Sequence, residues 1–302
     1  MIIIKLIGGL GNQMFQYAIG KHLAMINRTR LYLDISDYYL YPDRYYALDC
    51  FDVEAEIATA QLLADFKAYP HNLGSFQRLW RYHLLGERNV IIQEPHFHFA
   101  NDMLKPYEAN VHLSGYWQTE KYFSRISLRI RKDFRFAKPL SLRNDELAKQ
   151  IANSESVSIH VRRGDYISNN ITNQYHGVCD LGYFQTAIRF IVDKIRNPTF
   201  FVFSDDMDWV TSHLKIEHKH YLVGHNQGTE SYNDMRLMSL CKYNIIANSS
   251  FSWWGAWLNA NEEKIVVAPK YWLNPNSTWY KDWKVSMDDY VPANWHQVEN
   301  SI

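Results

Sequence analysis

Apolar and polar residues alternate through a short stretch near the middle of the chain, and this stretch gives the clearest prediction of structure. Val157, Ile159 and Val161 fall at every second position, which is the spacing of a β-strand. The strand runs directly into the sequence R-R-G-D at residues 162–165. Because Gly164 permits a tight bend, we expect a rigid strand that carries guanidinium groups at its carboxyl end.

The two arginines after this strand admit two interpretations. Planar guanidinium groups are shaped for bidentate contact with phosphate oxygens, and open α/β sheets bind ligands beyond the carboxyl ends of their strands. The stretch therefore predicts a phosphate-binding strand end. The alternative is a surface pair of arginine and aspartate that closes a turn and adds little stability. The local pattern fits both interpretations equally well.

Apolar segments of strand length alternate with helical patterns through the rest of the second half. The strongest helical pattern runs from Tyr183 to Ile195, where apolar residues recur at helical spacing before Asn197 and Pro198. Strands and helices that alternate in this way form parallel βαβ units. The other predicted strands are residues 199–203, 221–223, 244–247 and 264–268, and the other predicted helices are residues 231–243 and 251–258.

The first residues of the chain show a strand, a glycine turn and a helix. Residues 2–7 are apolar, the turn G-G-L-G-N-Q occupies residues 8–13, and apolar residues recur at helical spacing from Phe15 to Ile26. Asn12 is a favourable N-cap, and a helix N-terminus attracts anions. The turn has neither G-x-G-x-x-G spacing nor a Walker lysine, so it also fits a plain βα turn. Further strands are predicted at residues 31–34 and 111–118, whereas residues 35–99 have no clear period.

Three of the predicted strands in the second half end in polar residues. Adjacent parallel strands bring these ends, H-V-R-R-G-D, F-S-D-D and N-S-S-F-S, to one edge of the sheet. Carboxylates suit the ribose and guanine donors of a nucleotide, and serine hydroxyls at a helix start suit phosphate oxygens. The three ends together favour a nucleotide site. The candidate residues at this edge are His160, Arg162, Arg163, Ser204, Asp205, Asp206, Asn248, Ser249, Ser250, Phe251 and Ser252.

The composition excludes several classes of protein. With 302 residues, of which 47% are hydrophobic, the chain is long enough for one large domain or two of ordinary size. Its formal net charge is zero, which argues against a protein that coats nucleic acid. Aromatic residues make up 15% of the chain, and they suit sugar-binding platforms as well as ordinary cores. Composition alone favours carbohydrate chemistry only weakly.

The cysteines and the apolar segments bear on the location of the protein. Cys50, Cys179 and Cys241 lie far apart and are odd in number, so we expect a reducing compartment, with neither a disulfide framework nor a structural zinc site. The apolar N-terminus is too short for a signal peptide. No apolar run approaches the roughly 18 residues that span a bilayer. We therefore expect no transmembrane segment.

Three stretches together resemble the bacterial α-1,2-fucosyltransferases, a GDP-fucose-dependent family also classified as glycosyltransferase family 11. They are G-G-L-G-N-Q-M-F-Q-Y-A near the start, H-V-R-R-G-D-Y in the middle and N-S-S-F-S-W-W-G-A-W-L later. The resemblance spans nearly the whole chain, although residues 35–100 and the C-terminal tail carry little of it. H-x-R-R-x-D also occurs in α-1,6- and protein O-fucosyltransferases, whereas N-S-S-F-S-W-W-G narrows the resemblance to the α-1,2 group.

The resemblance implies an α/β fold of the GT-B type, with two Rossmann-like domains facing across a cleft. Residues 1–145 would form the domain on the acceptor side, and residues 146–302 the domain that binds GDP-fucose. The implied reaction transfers L-fucose from GDP-β-L-fucose, with inversion, to the 2-hydroxyl of a galactose-terminated oligosaccharide or lipid-linked glycan. It needs no catalytic metal or other cofactor, and no nucleic acid partner is implied. The missing signal and the family together imply a cytoplasmic enzyme of surface-polysaccharide synthesis, with the inner membrane face as a place of peripheral contact.

The resemblance also implies roles for individual residues. Arg162 would contact the β-phosphate of the donor as a catalytic residue, and Arg163 would assist it or brace the loop. Asn12 and Gln13, together with Gly9, would reach from the first domain toward the donor or the acceptor. The polar strand ends of the second half would line the nucleotide pocket. Acceptor selectivity is expected from the aromatic region 35–100 and from Tyr116-Trp117-Gln118, with Trp117 and Gln118 as the candidate acceptor-binding residues.

The general base stays open at this stage. The acceptor hydroxyl must lose a proton, and Asp165 at the strand end is the first candidate, although it could equally orient an arginine. The α-1,6 relatives have a glutamate a few residues after this motif, whereas residues 167–170 contain no carboxylate. Asp206-x-Asp208 could chelate a divalent ion on a strand, but these residues fall at a predicted helix start. We therefore expect no metal dependence.

Two other functions remain open from the sequence. The aromatic content also fits a non-catalytic carbohydrate-binding protein, although such a protein needs neither an arginine pair nor three aligned strand ends. A transferase for another nucleotide sugar would share the strand-end site. The absence of P-loop and kinase motifs argues against a phosphotransferase.

Overall fold

The chain folds into two compact units, Met1–Arg135 and Phe136–Ile302. The structure is a computed structural model, and each unit is built around one parallel β-sheet with helices. None of the helices in the described part of the chain has the length and apolar character of a bilayer-spanning segment. The described residues are 1–40, 44–67, 89–164, 167, 170–277, 280 and 288–301, with the backbone alone described for 170–172.

The first unit contains a five-stranded sheet in the order β3-β2-β1-β5-β4, in which all neighbours are parallel. The chain moves outward from β1 to β3 and then returns on the other side of β1, so the strand order reverses between β1 and β5. The strands are β1 (Ile2–Lys5), β2 (Leu31–Asp34), β3 (Glu56–Ile57), β4 (Asn89–Gln93) and β5 (Asn110–Ser114). The helices are α1 (Leu10–Ile26), α2 (Ala60–Lys67) and α3 (Ser127–Asp133), and short 3-10 helices lie at Ser36–Tyr39, Leu48–Cys50, Asn101–Met103, Glu120–Tyr122 and Ser124–Ile126.

The second unit contains a six-stranded parallel sheet in the order β11-β10-β9-β6-β7-β8. Here the strand order reverses between β6 and β9. The strands are β6 (Glu155–Val161), β7 (Pro198–Ser204), β8 (His220–Val223), β9 (Tyr243–Ile245), β10 (Val266–Pro269) and β11 (His296–Val298). The helices are α4 (Leu142–Ala152), α5 (Asn170–His176), α6 (Leu181–Lys194), α7 (Met207–His213), α8 (Tyr232–Leu240) and α9 (Ser250–Leu258), with a 3-10 helix at Gly228–Glu230.

The central strand β6 is buried on both faces. Val157, Ile159 and Val161 pack into one apolar cluster together with residues of α6 such as Ile191. The alternate positions are buried as well, and Ser158 Oγ accepts a hydrogen bond from the side chain of Asn244 at 2.8 Å. Since most buried polar groups in proteins are hydrogen bonded, this pair explains how Ser158 is accommodated in a strand that lies inside the sheet.

The α/β fold with two parallel sheets confirms the fold class expected from the sequence. The predicted strands of the second half are present within one or two residues, whereas β3, β4 and β11 were not predicted. The two units separate after Arg135, earlier than the expected boundary between 145 and 146. That boundary would fall inside α4, whose Asn144 donates a hydrogen bond to Asn226 of the second unit at 2.9 Å.

Candidate functional site

Three polar strand ends lie side by side along the carboxyl edge of the second sheet. β6 has β7 on one side and β9 on the other, and the register pairs Val161 with Ser204 and Ile159 with Ile245. This is also where the strand order of the sheet reverses, which in open α/β sheets is the position of the ligand crevice. The structure therefore brings the ends of β6, β7 and β9 together, as expected from the sequence.

An ion pair joins the first two of these ends. Arg162 Nη1 lies 2.7 Å from Asp205 Oδ2, and both side chains are about a quarter exposed. The other oxygen, Asp205 Oδ1, accepts the backbone N–H of Arg163 at 2.8 Å. A Cβ at Gly164 would lie only 2.7 Å from Asp205 Oδ2, so glycine is needed for this close approach. Asp205 thereby fixes the direction of the Arg162 guanidinium.

Arg163 is held by contacts of a different kind. Its Nε donates to Asp206 Oδ2 at 3.2 Å, and its guanidinium lies 4.1 Å from the centre of the Trp209 ring. Asp206 Oδ1 accepts the backbone N–H of Trp209 at 3.0 Å and so caps α7, while Ser204 Oγ accepts the backbone N–H of Asp206 at 2.9 Å. These contacts fit a bracing role for Arg163, and both oxygens of Asp206 are already engaged.

His160 is buried at the end of β6 and is 5% exposed. Burial lowers the pKa of His160 to about 4; nearby Asp205 opposes the effect and Arg162 adds to it. The imidazole is therefore neutral at pH 7. Its ring centre lies 5.7 Å from that of Phe251, and within the described residues its buried Nδ1 has no hydrogen-bond partner. A neutral ring nitrogen can donate to or accept from a ligand.

The polar residues after β9 divide into structural and more exposed members. Asn248 is 1% exposed, donates to the carbonyl of His176 at 3.0 Å and accepts from Cys179 Sγ at 3.5 Å. Ser252 is also 1% exposed, and its hydroxyl donates to the carbonyl of Ser249 at 3.3 Å. Ser249 is the buried N-cap residue of α9, without a side-chain cap. The half-buried residues at the start of this helix are Ser250 and Phe251.

The glycine turn of the first unit leads into α1 differently from the expectation. The N-cap of α1 is Gly9, so Asn12 lies inside the first turn and does not cap the helix. The side-chain oxygen of Asn12 instead accepts a hydrogen bond from Gln118 Nε2 at 2.7 Å. This contact joins the first turn of α1, which follows β1, to the loop after β5; β1 and β5 are the two strands between which the order of the first sheet reverses.

Two residues expected at the donor or acceptor are fully buried. Gln13 donates to the carbonyl oxygens of Gly8 at 3.1 Å and Tyr45 at 2.8 Å, and accepts the backbone N–H of Ala47 at 2.9 Å. Trp117 is 0% exposed and packs edge-on against a tyrosine ring. In this structure Gln13 links loop backbone groups and Trp117 packs in the core, so neither side chain is exposed to a ligand. Beside Trp117, Tyr116 as a whole residue is 38% exposed and Gln118 is half-buried.

Two carboxyl groups that were not candidates from the sequence have raised pKa values: Glu94, which is a half-buried residue, and Asp234, which is buried. Burial raises the pKa of Glu94, which directly follows β4, to about 7. Burial likewise raises the pKa of Asp234 to about 7, against the opposing hydrogen bond that Asn226 Nδ2 donates to it at 2.7 Å. Glu94 belongs to no motif. The sequence Ser231-x-x-Asp234 has the spacing of a capping box, but Ser231 makes no side-chain cap. The sequence carried no signal for their burial.

Asp165, the first candidate for the general base, lies outside the described residues. Asp206 of the D-x-D pattern is committed to Arg163 and to the α7 cap. Among the described residues, no three histidine, cysteine or acidic side chains are grouped as metal ligands.

Comparison with known proteins identifies relatives over the whole chain. Residues 76–298 match the sequence model of Glycosyl transferase family 11. The chain is 32% identical over 304 residues to an α-1,2-colitosyltransferase of Escherichia coli, covering 99% of both chains. It is 33% identical over 300 residues to the O-antigen biosynthesis glycosyltransferase WbnK of Escherichia coli, covering 94% of this chain and 97% of that one.

A solved structure shares the fold of the chain. NodZ α-1,6-fucosyltransferase soaked with GDP-fucose superposes with a TM-score of 0.52 at 15% identity, covering 85% of this chain and 91% of NodZ. NodZ comes from Bradyrhizobium. At this identity the likeness shows a common fold and no more.

Proposed function

Because this chain belongs to glycosyl transferase family 11 and is a glycosyltransferase, we propose that it transfers L-fucose from GDP-β-L-fucose to a galactose-terminated glycan. The new bond forms at the 2-hydroxyl of galactose and the configuration at fucose inverts, giving an α-1,2 linkage. The observation that carries the proposal is the position of Arg162, fixed by Asp205 where the strand order of the second sheet reverses.

Arg162 supplies the main catalytic interaction in this proposal. When the bond between fucose and phosphate breaks, negative charge builds on GDP and positive charge on the sugar ring. A guanidinium at the β-phosphate stabilises that charge more in the transition state than in the ground state. Asp205 holds the guanidinium in one direction, and the planar fork of arginine is shaped for bidentate contact with phosphate oxygens.

The remaining strand-end residues bind the nucleotide in this proposal. The N-terminus of α9, which begins at Ser250, favours a negatively charged group. The buried Nδ1 of His160, for which the described residues provide no partner, hydrogen-bonds the nucleoside in this proposal. Four of the candidate residues support the loops of the site through contacts within the protein and do not touch the donor in this proposal. They are Arg163, Asp206, Asn248 and Ser252.

The first unit contributes the acceptor subsite in this proposal. Asn12 and Gln118 offer amide groups to sugar hydroxyls from the first turn of α1 and the loop after β5, and the exposed residue Tyr116 replaces Trp117 as the aromatic surface. An aromatic ring suits the apolar face of a pyranose. Asp165 stays the first candidate for the base that accepts the proton of the galactose hydroxyl.

We propose that the reaction is independent of metal ions. The guanidinium of Arg162 carries the charge that a divalent ion would otherwise supply, and Asp206 is engaged with Arg163 and α7. We also propose a cytoplasmic role in surface-polysaccharide synthesis with a lipid-linked glycan as acceptor, because the relative WbnK is named for O-antigen biosynthesis.

A colitosyl donor is the second candidate, because a relative with 32% identity is named an α-1,2-colitosyltransferase. Colitose is fucose without its 3-hydroxyl. A site that hydrogen-bonds this hydroxyl rejects the deoxy sugar strongly, whereas a site that only accommodates it discriminates weakly. The ratio of kcat/KM for the two GDP-sugars therefore decides between the candidates.

The test is a transfer reaction with purified protein, GDP-fucose, lactose and excess EDTA, with the product linkage determined by NMR. We expect an α-1,2-linked fucosyl product with EDTA present. Activity that EDTA abolishes and manganese restores would contradict metal independence. GDP binding without transfer of any GDP-sugar would support the carbohydrate-binding alternative, and UDP that competes as well as GDP would contradict the donor assignment.

A further inference from the structure

Glu94 joins the ends of β4 and β5 in the first unit. Its backbone N–H donates to the carbonyl of Ser114 at 2.7 Å, which extends the pairing of the two strands by one residue. Its two carboxylate oxygens then accept the next backbone N–H groups of the neighbouring loop, from Tyr116 at 2.7 Å and from Trp117 at 3.0 Å. One side chain thus fixes the first turn after β5.

The turn held by Glu94 has an unusual backbone. Gly115 has φ 156°, and a Cβ there would lie 2.4 Å from Glu94 Cβ. Trp117 has φ 56°, in the left-handed region that costs a bulky residue energy and that persists only where the surroundings impose it. Gln16 Nε2 adds a hydrogen bond to the carbonyl of Gly115 at 3.0 Å. The conformation is therefore determined by side chains around it.

This backbone conformation decides where two side chains point. It buries Trp117 completely, whereas Tyr116 as a whole residue is 38% exposed. It also places Gln118 where its amide donates to Asn12 at 2.7 Å. Without the two hydrogen bonds to Glu94, the left-handed residue between Tyr116 and Gln118 would lose its restraint, and both side chains would change position.

The charge state of Glu94 matters for these hydrogen bonds. A carboxylate accepts with both oxygens, whereas a protonated carboxyl group carries a hydrogen on one of them. Burial raises the pKa of Glu94 to about 7. The titratable group facing it is the Tyr116 phenol, whose pKa is raised by burial and then by Glu94, and lowered by Arg44. Within the described residues no lysine or arginine forms an ion pair with Glu94.

Building on the proposed function, we propose that Glu94 is a positioning residue of the acceptor subsite. It holds the turn of residues 115–117 so that Tyr116 stacks on the terminal galactopyranose while Gln118 and Asn12 bind its hydroxyls. Glu94 acts through this loop, and its effect falls on the acceptor and not on the nucleotide.

The test compares Glu94→Gln and Glu94→Asp with the wild type. Glutamine keeps one acceptor oxygen but turns an N–H group toward a backbone N–H, so one hydrogen bond is lost. We expect Glu94→Gln to raise KM for lactose about tenfold or more, with KM for GDP-fucose within about twofold. In the wild type, kcat/KM for lactose rises with pH through about 7. Glu94→Gln flattens this rise and Glu94→Asp retains it.

Glu56→Gln is the matched control, because Glu56 is an exposed residue of β3 in the same sheet. Its KM values and pH profile should equal those of the wild type. Circular dichroism melting of each variant separates a folding defect from a local one. If Glu94→Gln keeps the lactose KM and pH profile of the wild type, the role of Glu94 is overturned.

Lactose binding in the absence of donor, measured by saturation-transfer NMR, distinguishes failure of this inference from failure of the proposed function. A wild type that binds lactose but transfers no fucose would contradict the proposed reaction, while weaker lactose binding by Glu94→Gln would still support the positioning role. A wild type that neither binds lactose nor transfers fucose would overturn both.

Discussion

Asp205 is the residue that converts two adjacent strand ends into one site. It receives Arg162 on one oxygen and the backbone of Arg163 on the other. Each contact alone would add little, since both side chains are partly exposed and surface ion pairs contribute about 0–1 kcal/mol. Their importance lies in geometry, because a guanidinium must be held in one direction to stabilise a developing charge.

Gly164 tests this geometry directly. Gly164→Ala would place a Cβ 2.7 Å from Asp205 Oδ2, so the carboxylate must move away and Arg162 loses its restraint. We expect kcat to fall about tenfold or more while the protein stays folded. Steady-state kinetics together with thermal melting measure both quantities. Unchanged kcat in a folded variant would show that Arg162 does not depend on this contact.

Asp234 makes stability depend on pH. Its pKa is raised from the ordinary 3.8 to about 7 in the folded protein, so between these values the folded state holds a proton that the unfolded state has released. The free energy of unfolding therefore falls as pH rises from about 4 to about 7, by at most a few kcal/mol. Glu94 contributes a fall of the same sign.

Asp234→Asn should remove part of this fall, because asparagine does not ionise. The variant should stay folded, because asparagine can still accept the hydrogen bond from Asn226. Urea unfolding at a series of pH values gives the measurement. Asp145→Asn is the control, because the side chain of Asp145 in α4 is 49% exposed and pairs with Lys149. A pH dependence identical in Asp234→Asn and the wild type would mean that Asp234 ionises freely in the folded protein.

At the scale of elements, the end of β9 depends on a single buried side chain. Asn248 connects the segment before α9 to the carbonyl of His176 at the end of α5 and to Cys179. Asn248→Ala would leave the carbonyl oxygen and the thiol without these partners. We expect the free energy of unfolding to fall by about 1–3 kcal/mol.

Urea unfolding of Asn248→Ala against Asn153→Ala provides the comparison. Asn153 is exposed and donates to a carbonyl oxygen of its own helix at 2.9 Å, so its replacement should change stability by less than about 0.5 kcal/mol. Equal stability of the two variants would show that the Asn248 contacts add nothing to the fold.

The same elements show what the sequence could and could not predict. The strands at the centre of the second sheet were predictable from two patterns. β7 is a continuous apolar run, as expected for a parallel strand covered on both faces, and β6 alternates apolar and polar residues. β3 and β11 are two and three residues long and largely exposed, so they leave no such run. The basic segment 122–136 contains the end of one 3-10 helix, a second 3-10 helix and the short α3. Arg129 there pairs with the buried Asp133.

The site was predictable only in part, because the sequence pattern indicates which strand ends meet but not which side chains are exposed there. Chain order and parallel pairing place the ends of β6, β7 and β9 together, and that step needs only the pattern of strands. Whether a motif residue faces a ligand or the core depends on packing, which spacing does not reveal. Gln13 and Trp117 are buried, while Tyr116 is exposed and Glu94 is hydrogen bonded to its loop.

At the scale of the whole molecule, each unit has its own reversal of strand order with polar groups beside it. In the first unit these groups are the amides of Asn12 and Gln118, the exposed residue Tyr116, and the turn of residues 115–117 that Glu94 holds by hydrogen bonds. In the second unit the strand ends carry the arginine pair and the N-terminus of α9. The polar and aromatic groups of the first edge suit a sugar, and the arginines of the second edge suit a nucleoside diphosphate. The proposed reaction needs one binding site of each kind.

The most direct measurement is the turnover of Arg162→Lys with GDP-fucose and lactose, alongside its affinity for GDP by calorimetry. Lysine keeps the charge but lacks the planar fork that can engage Asp205 and a phosphate together. The account predicts that kcat falls about 100-fold or more, that GDP affinity changes far less, and that Arg189→Lys on the exposed face of α6 behaves like the wild type. Turnover of Arg162→Lys near the wild-type value would contradict it.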